Sequence, residues 1–361
     1  MKHTTKILTV ILAGTMFAGT TFAGNPDRAG QAGASELLIN PWARSSGFGS
    51  ANVAGVRGLE GQFLNVAGTA FTKKTELLFA HTNYLKGADI GINTFGFSQK
   101  VGASGVLGLG FMSMNFGDID VTTTEMPEGG LGNYPISFMN IGLSYAKGFT
   151  DHIFGGLCTR MITQSIPDAK ASGVALDAGI QYVAGKDNNA KFGISLKNVG
   201  PKMQFRGDGL FTPVINANNN STATLEQRSE SFELPSQVNI GGGYDFFLGG
   251  TGDSAAKNHR ITVAAAFVSN SFTKDEFRIG FEYGFKTYFM IRAGYGYEKG
   301  IGNDDDSQAN YRTSAQKGLN GGVTVEIPMN KEKGSSFGLD YSIRTTQPFG
   351  NTHSIGIRMN L

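Results

Sequence analysis

The side chains that could do chemistry in this chain are charges at even spacings along a segment, not nucleophiles beside bases. Glu276, Arg278 and Glu282 form one such row, and Arg292 follows in the next segment. Asp340, Arg344 and Arg358 continue the pattern near the end of the chain. Carboxylates and guanidiniums at this spacing can pair into a ladder that orders an interior, or line a path that selects solutes. The sequence leaves both roles open for this polar network.

Other chemistry is poorly supplied. There is no G-x-S-x-G elbow, H-E-x-x-H motif or P-loop, and the reading is of a protein that is not an enzyme. The five histidines lack metal-ligand spacing. The Asp304-Asp305-Asp306 run lacks the full calcium-loop pattern and reads as a solvated tip, as does the Asn216 to Asn220 run. The single cysteine, Cys158, has no partner for an internal disulfide and reads as a packing residue. No catalytic residue, metal or cofactor is expected. A formal charge of +2 with no basic run argues against nucleic acid as a partner.

The elements that carry these charges alternate with a period of two. Phe277, Ile279, Phe281, Tyr283 and Phe285 fall on one face, with Glu276, Arg278, Gly280, Glu282 and Gly284 on the other. The segments at 289–297, 336–344 and 353–361 repeat the arrangement. One face is large and apolar, and the other is small or charged. That is the pattern of a barrel with lipid outside and a polar lumen inside. A soluble sandwich also alternates, but it would have to hide these wide apolar faces in a second sheet.

The expected fold is therefore all-β: a 14-stranded antiparallel transmembrane β-barrel of the outer membrane. Strands are predicted near 75–84, 89–98, 103–115, 137–147, 151–163, 172–184 and 190–198. A second group is predicted near 237–249, 259–269, 276–285, 287–298, 317–327, 335–344 and 352–361. Long connections follow only strands three, seven and eleven. That parity is expected if both barrel ends start in the periplasm and the long loops face outward.

Three regions follow. Residues 1–23 read as a signal peptide, with Lys2 and Lys6, an apolar stretch from Ile7 to Ala18, and a cleavage site after Ala23. Residues 24–70 fit the alternation poorly and are expected to form a plug or a periplasmic cap. Residues 71–361 are the barrel. The lumen leaves room for lipid or detergent, and outer-membrane lipid is the expected surroundings.

The run Ala32-Gly33-Ala34-Ser35-Glu36-Leu37-Leu38-Ile39-Asn40-Pro41-Trp42-Ala43-Arg44-Ser45-Ser46-Gly47-Phe48-Gly49 resembles the PorV/PorQ family of the type IX secretion system in Bacteroidota. The stretches Phe192 to Lys202, Glu233-Leu234-Pro235, Gly280 to Tyr283, Ile291 to Tyr295 and Gly350 to Ile357 are similar to later family blocks. Trp42 stands where the common form is acidic, and Leu361 where it ends in an aromatic, as in a divergent paralogue. The resemblance implies a FadL-type barrel without enzymatic activity. Its implied partners are the type IX translocon subunit, the C-terminal signal domains of secreted cargo, and a PorU-containing attachment complex. Partner-binding candidates are Leu37, Leu38, Ile39, Pro41, Trp42, Arg44 and Phe48, with Phe205, Arg206 and Phe211 in the long loop after strand seven. The alternative function is a FadL-like transporter of hydrophobic small molecules.

Overall fold

The computed structural model describes residues 24–185, 187–215, 221–248, 258–302, 313–330 and 334–361. The expected signal peptide, the Asn216 to Asn220 run and the Asp304–Asp306 tip lie outside the described residues.

Fourteen strands close into one antiparallel barrel. They are β1 (Thr75–Tyr84), β2 (Ile90–Val101), β3 (Gly105–Asn115), β4 (Ser137–Gly148), β5 (Ile153–Ile166), β6 (Ala169–Ala184) and β7 (Ala190–Val199). The second half is β8 (Gln237–Leu248), β9 (His259–Asn270), β10 (Glu276–Phe285), β11 (Phe289–Glu298), β12 (Gln316–Asn330), β13 (Ser335–Thr346) and β14 (Thr352–Asn360). Each strand pairs with its sequence neighbour, and β1 pairs with β14 from Glu76↔Asn360 to Asn83↔His353. Closure leaves no open sheet edge, the condition for a sheet to stand in hydrocarbon. No helix of the described residues is long and apolar enough to cross a membrane.

Alternation decides which way each side chain points. On β10, Phe277, Ile279, Phe281, Tyr283 and Phe285 are all exposed on the outer wall. Leu143, Leu157, Ile180, Phe192 and Leu319 do the same elsewhere around the ring. An apolar wall in contact with water would be untenable, and in lipid it is the ground state.

The hairpin of β5 and β6 is longer than its alternation suggests. Its pairing runs on to Ile166↔Ala169, past the apolar band. The outer end of β6 then pairs with Phe205 and Arg206 from the following long loop. That loop also carries a small hairpin, Phe211–Ile215 against Thr222–Glu226. The connections at 116–136, 200–236 and 299–315 all leave the same end of the barrel, opposite to the end where β1 begins and β14 stops. By the usual asymmetry of such barrels, that end is extracellular.

Residues 24–74 run through the barrel interior. Gly24 donates to Asp275 Oδ2 at 2.7 Å at the outer mouth, and Arg28 pairs with Glu233 there at 3.0 Å. The chain then descends through α1 (Ala43–Gly47) and α2 (Gly61–Leu64) to Phe71, whose ring meets Phe154 at the periplasmic end of β5. Such an irregular segment can be buried only if its backbone groups find partners. The wall supplies several: Gln181 Nε2 donates to the Val53 and Val56 carbonyls at 3.2 Å, and Ser195 Oγ to Leu64 O at 2.9 Å. The plug answers with Gln62 Nε2 to Gly142 O at 2.9 Å and Asn65 Nδ2 to Ile180 O at 3.0 Å.

The abundant glycine has its use here. A Cβ on Gly47 would lie 2.8 Å from the Gly322 Cα of β12, and one on Gly280 would lie 2.7 Å from Phe48 O. Where plug and wall touch backbone to backbone, there is no room for a side chain between them.

Candidate functional site

The plug is held by buried charges from strands distant in sequence. Arg44 on α1 places Nε 3.2 Å from Asp340 Oδ1 and Nη2 3.3 Å from Glu326 Oε2. Burial opposes its charge, but Asp340, Glu60 and Glu326 together hold the Arg44 proton more tightly than usual. Arg358 of β14 pairs with Glu60 of the plug, lies 3.5 Å from Glu76, and reaches Asp340 Oδ2 at 3.8 Å. Glu60 and Glu76 each also accept a plug backbone N–H: Ser45 N to Glu60 Oε2 at 3.1 Å, and Leu59 N to Glu76 Oε2 at 2.8 Å. Thr324 donates to Asp340 and accepts from Arg292 Nη1 at 2.6 Å. Arg292 Nε lies 2.5 Å from Glu282 Oε2, and Arg260 completes that carboxylate.

Thus Glu282, Arg292, Asp340 and Arg358 come together as one network, with Arg44 as its plug member. Among the described residues Glu276 and Arg278 pair with one another, at 2.8 Å, nearer the outer mouth. Arg344 does not join: its Nε and Nη2 are buried without a hydrogen-bond partner among the described residues. The alternation of strands 10 to 14 missed Glu60, Glu76, Arg260 and Glu326. It also missed two pairs on the other side of the ring, Arg160–Asp177 at 2.8 Å and Lys191–Asp245 at 2.5 Å. Reading the inward positions of β5 to β8 by the same parity finds the last four residues.

The partner-binding candidates divide. Leu37, Ile39, Pro41, Trp42 and Phe48 are buried inside the barrel, and Leu38 lines an interior cavity. Leu37 packs with Ile162, Met203 and Leu234, Ile39 with Ile92, Met112 and Met114, and Trp42 with Leu59, Phe63 and Leu78. Leu38 and Arg44 are half-buried inside the barrel as well, so the contacts these residues make are with their own barrel, where the expectation for 37–48 had been an outside protein. The Phe205 and Phe232 rings meet at a tilt with centroids 5.9 Å apart, and Arg206 and Phe211 are exposed at the outer end.

Two spaces bear on ligands. Inside, a cavity of about 40 Å³ between plug and wall is lined largely by polar groups. Outside, the lipid-facing wall of β7 to β11 has a bowl of about 680 Å³ over Gly242 and Ala265. Phe192, Phe267, Phe277, Tyr295 and Tyr297 form its rim. Directly behind it, a Cβ on Gly241 would lie 3.1 Å from Val53 of the plug.

No protein-family model matches this chain, and no curated protein matches it in sequence. Among solved structures it is similar to the toluene transporter TodX of Pseudomonas putida, with a TM-score of 0.52 and 12% identity over 89% of this chain and 97% of that one. The toluene transporter TbuX of Ralstonia pickettii gives a TM-score of 0.51 at 12% identity, with the same coverage of 89% and 97%. The likeness is one of fold, a closed 14-stranded antiparallel β-barrel of the outer-membrane type.

Proposed function

We propose that the chain handles hydrophobic small molecules at the outer membrane, as a FadL-like transporter. The observation that carries this reading is the aromatic bowl on the lipid-facing wall. Its volume suits a small ring compound, and its mainly apolar lining of Gly, Ala, Ile and aromatic side chains offers dispersion contacts. The polar, plug-filled lumen is a poor first site for such a ligand, so entry from the membrane side is the physically easier step. The likeness of fold to two toluene transporters supports the same class of cargo.

Uptake of radiolabelled toluene by cells carrying the protein is the test. Faster uptake than in cells lacking it, reduced by filling the bowl with Ala265→Trp, is the expected result. Equal uptake with and without the protein would overturn the reading.

A second reading rests on the outer hairpin. Phe211, Val214, Ile215 and Leu225 are exposed there on two short strands, a costly display unless something covers it. With Phe205 and Arg206 beside it, this loop suits a protein partner such as a type IX translocon subunit, signal-bearing cargo or the attachment complex. Purification from native membranes in mild detergent should then recover that partner. Removal of residues 207–227 should lose it; undiminished recovery would exclude the hairpin.

A further inference from the structure

The interior cavity near the outer mouth has a charge balance that neither reading uses. Five ionisable side chains line it: Lys197, Glu276, Arg278, Glu298 and Arg344. Glu276 and Arg278 neutralise each other. Glu298 accepts from the Thr313 backbone N–H and from Thr313 Oγ1, the latter at 2.9 Å, at the rim. Lys197 and Arg344 are left over.

Both are deeply buried, each 4% exposed. The Lys197 ammonium sits 3.9 Å from the centre of the Phe63 ring, and neither it nor Arg344 has an ion-pair partner among the described residues. Two nitrogens of Arg344 also lack any hydrogen bond. A cation taken out of water needs a counter-charge or a full set of acceptors, and among the described residues no carboxylate touches either head group. Three cations against two carboxylates leave the lining one positive charge in excess. The plug offers a donor as well. Ser50 Oγ accepts from Asn40 Nδ2 at 2.9 Å, which leaves its own proton free for an acceptor in the cavity.

We propose that this cavity binds a small monovalent anion of the size of chloride. About 40 Å³ holds a particle or a few of water size, which excludes large organic anions. Since plug and wall both line the cavity, an anion there ties one to the other, and its occupancy stabilises the plugged state by mass action.

The test uses the intact protein in detergent micelles. Its thermal unfolding is followed by the fluorescence of Trp42, the only tryptophan in the chain. Chloride is exchanged for gluconate at constant ionic strength. The midpoint should rise by several degrees in chloride, and Lys197→Met or Arg344→Gln should each remove most of that rise. Bromide-soaked crystals of the unaltered protein should show an anomalous peak in the cavity, a readout independent of whether the variants fold. Equal midpoints in the two salts, a rise that survives both substitutions, or a bromide-free cavity would overturn the proposal.

Discussion

Arg358, three residues from the end of the chain, ion-pairs with Glu60 of the plug, 298 residues away in sequence. The last strand of the ring therefore holds the segment that fills it. Glu76 and Asp340 share the same guanidinium, so Arg358 is the common counter-ion of three buried carboxylates.

Removing that common cation should cost far more than removing one of its anions. Arg358→Ala takes from Glu60 and Glu76 the guanidinium in direct contact with them, and a loss of about 3–5 kcal/mol is expected. Glu60→Gln keeps Arg358 on two carboxylates and should cost about 1 kcal/mol. Urea unfolding in micelles compares the two; equal losses would show that Arg358 serves Glu60 alone.

The backbone contact of Gly47 with Gly322 predicts a steric result. Gly47→Ala puts a methyl 2.8 Å from the Gly322 Cα, which neither rigid element can yield to cheaply. Overpacking of this kind costs about 1–3 kcal/mol. Trp42 lies five residues earlier, in the same packed segment, so its emission should move to longer wavelength in the variant. An unshifted spectrum at unchanged stability would mean that α1 slides without cost.

Electrical measurements should report on the plug directly. In planar bilayers the native protein is expected to carry no steady ion current, because its segment 24–74 occupies the lumen. Arg44→Ala combined with Arg358→Ala removes the two plug–wall cations of the central network, and should produce flickering conductance as the plug loosens. A variant as silent as the native protein would assign the seal to packing rather than charge.

Glu36 gives a pH dependence with a definite sign. Burial pushes its carboxyl above the ordinary 4.5, against the pull of its own backbone N–H and of Gln164, whose Nε2 donates at 3.0 and 3.1 Å. The folded chain then binds this proton more tightly than the unfolded one. The stabilising contribution is present below pH 4.5 and is lost as pH rises through the folded value. Glu36→Gln should flatten the midpoint–pH curve just above pH 4.5, and a curve as steep as the native one would assign the effect to another group.

The wall was legible in the sequence because a period of two needs only neighbours to be seen. Phe277 to Phe285 declare their face without knowledge of β9 or β11, and loop lengths set the ends. The plug network was not legible, because Glu60 carries no local sign that its partner is Arg358. Arg260 was missed for a different reason: its inward neighbours on β9 are Thr262, Ala264, Ala266 and Val268, so charge contrast along the strand is weak. The partner-binding candidates between Leu37 and Phe48 pack instead in the interior of this chain, against their own barrel.

Gly24 at one mouth and Phe71 at the other make the N-terminal segment a cord drawn through a ring. A cord fixed to β1 at one mouth and bonded to the wall at the other can leave only by giving up its contacts link by link. The ring must close on the thread or be threaded before it closes, so the pairing of β1 with β14 fixes a mechanical order of assembly as well as a shape. Pulled from the outer side by Gly24, such a chain should yield in steps, first at Asp275 and Glu233, and last at the charges around Arg358.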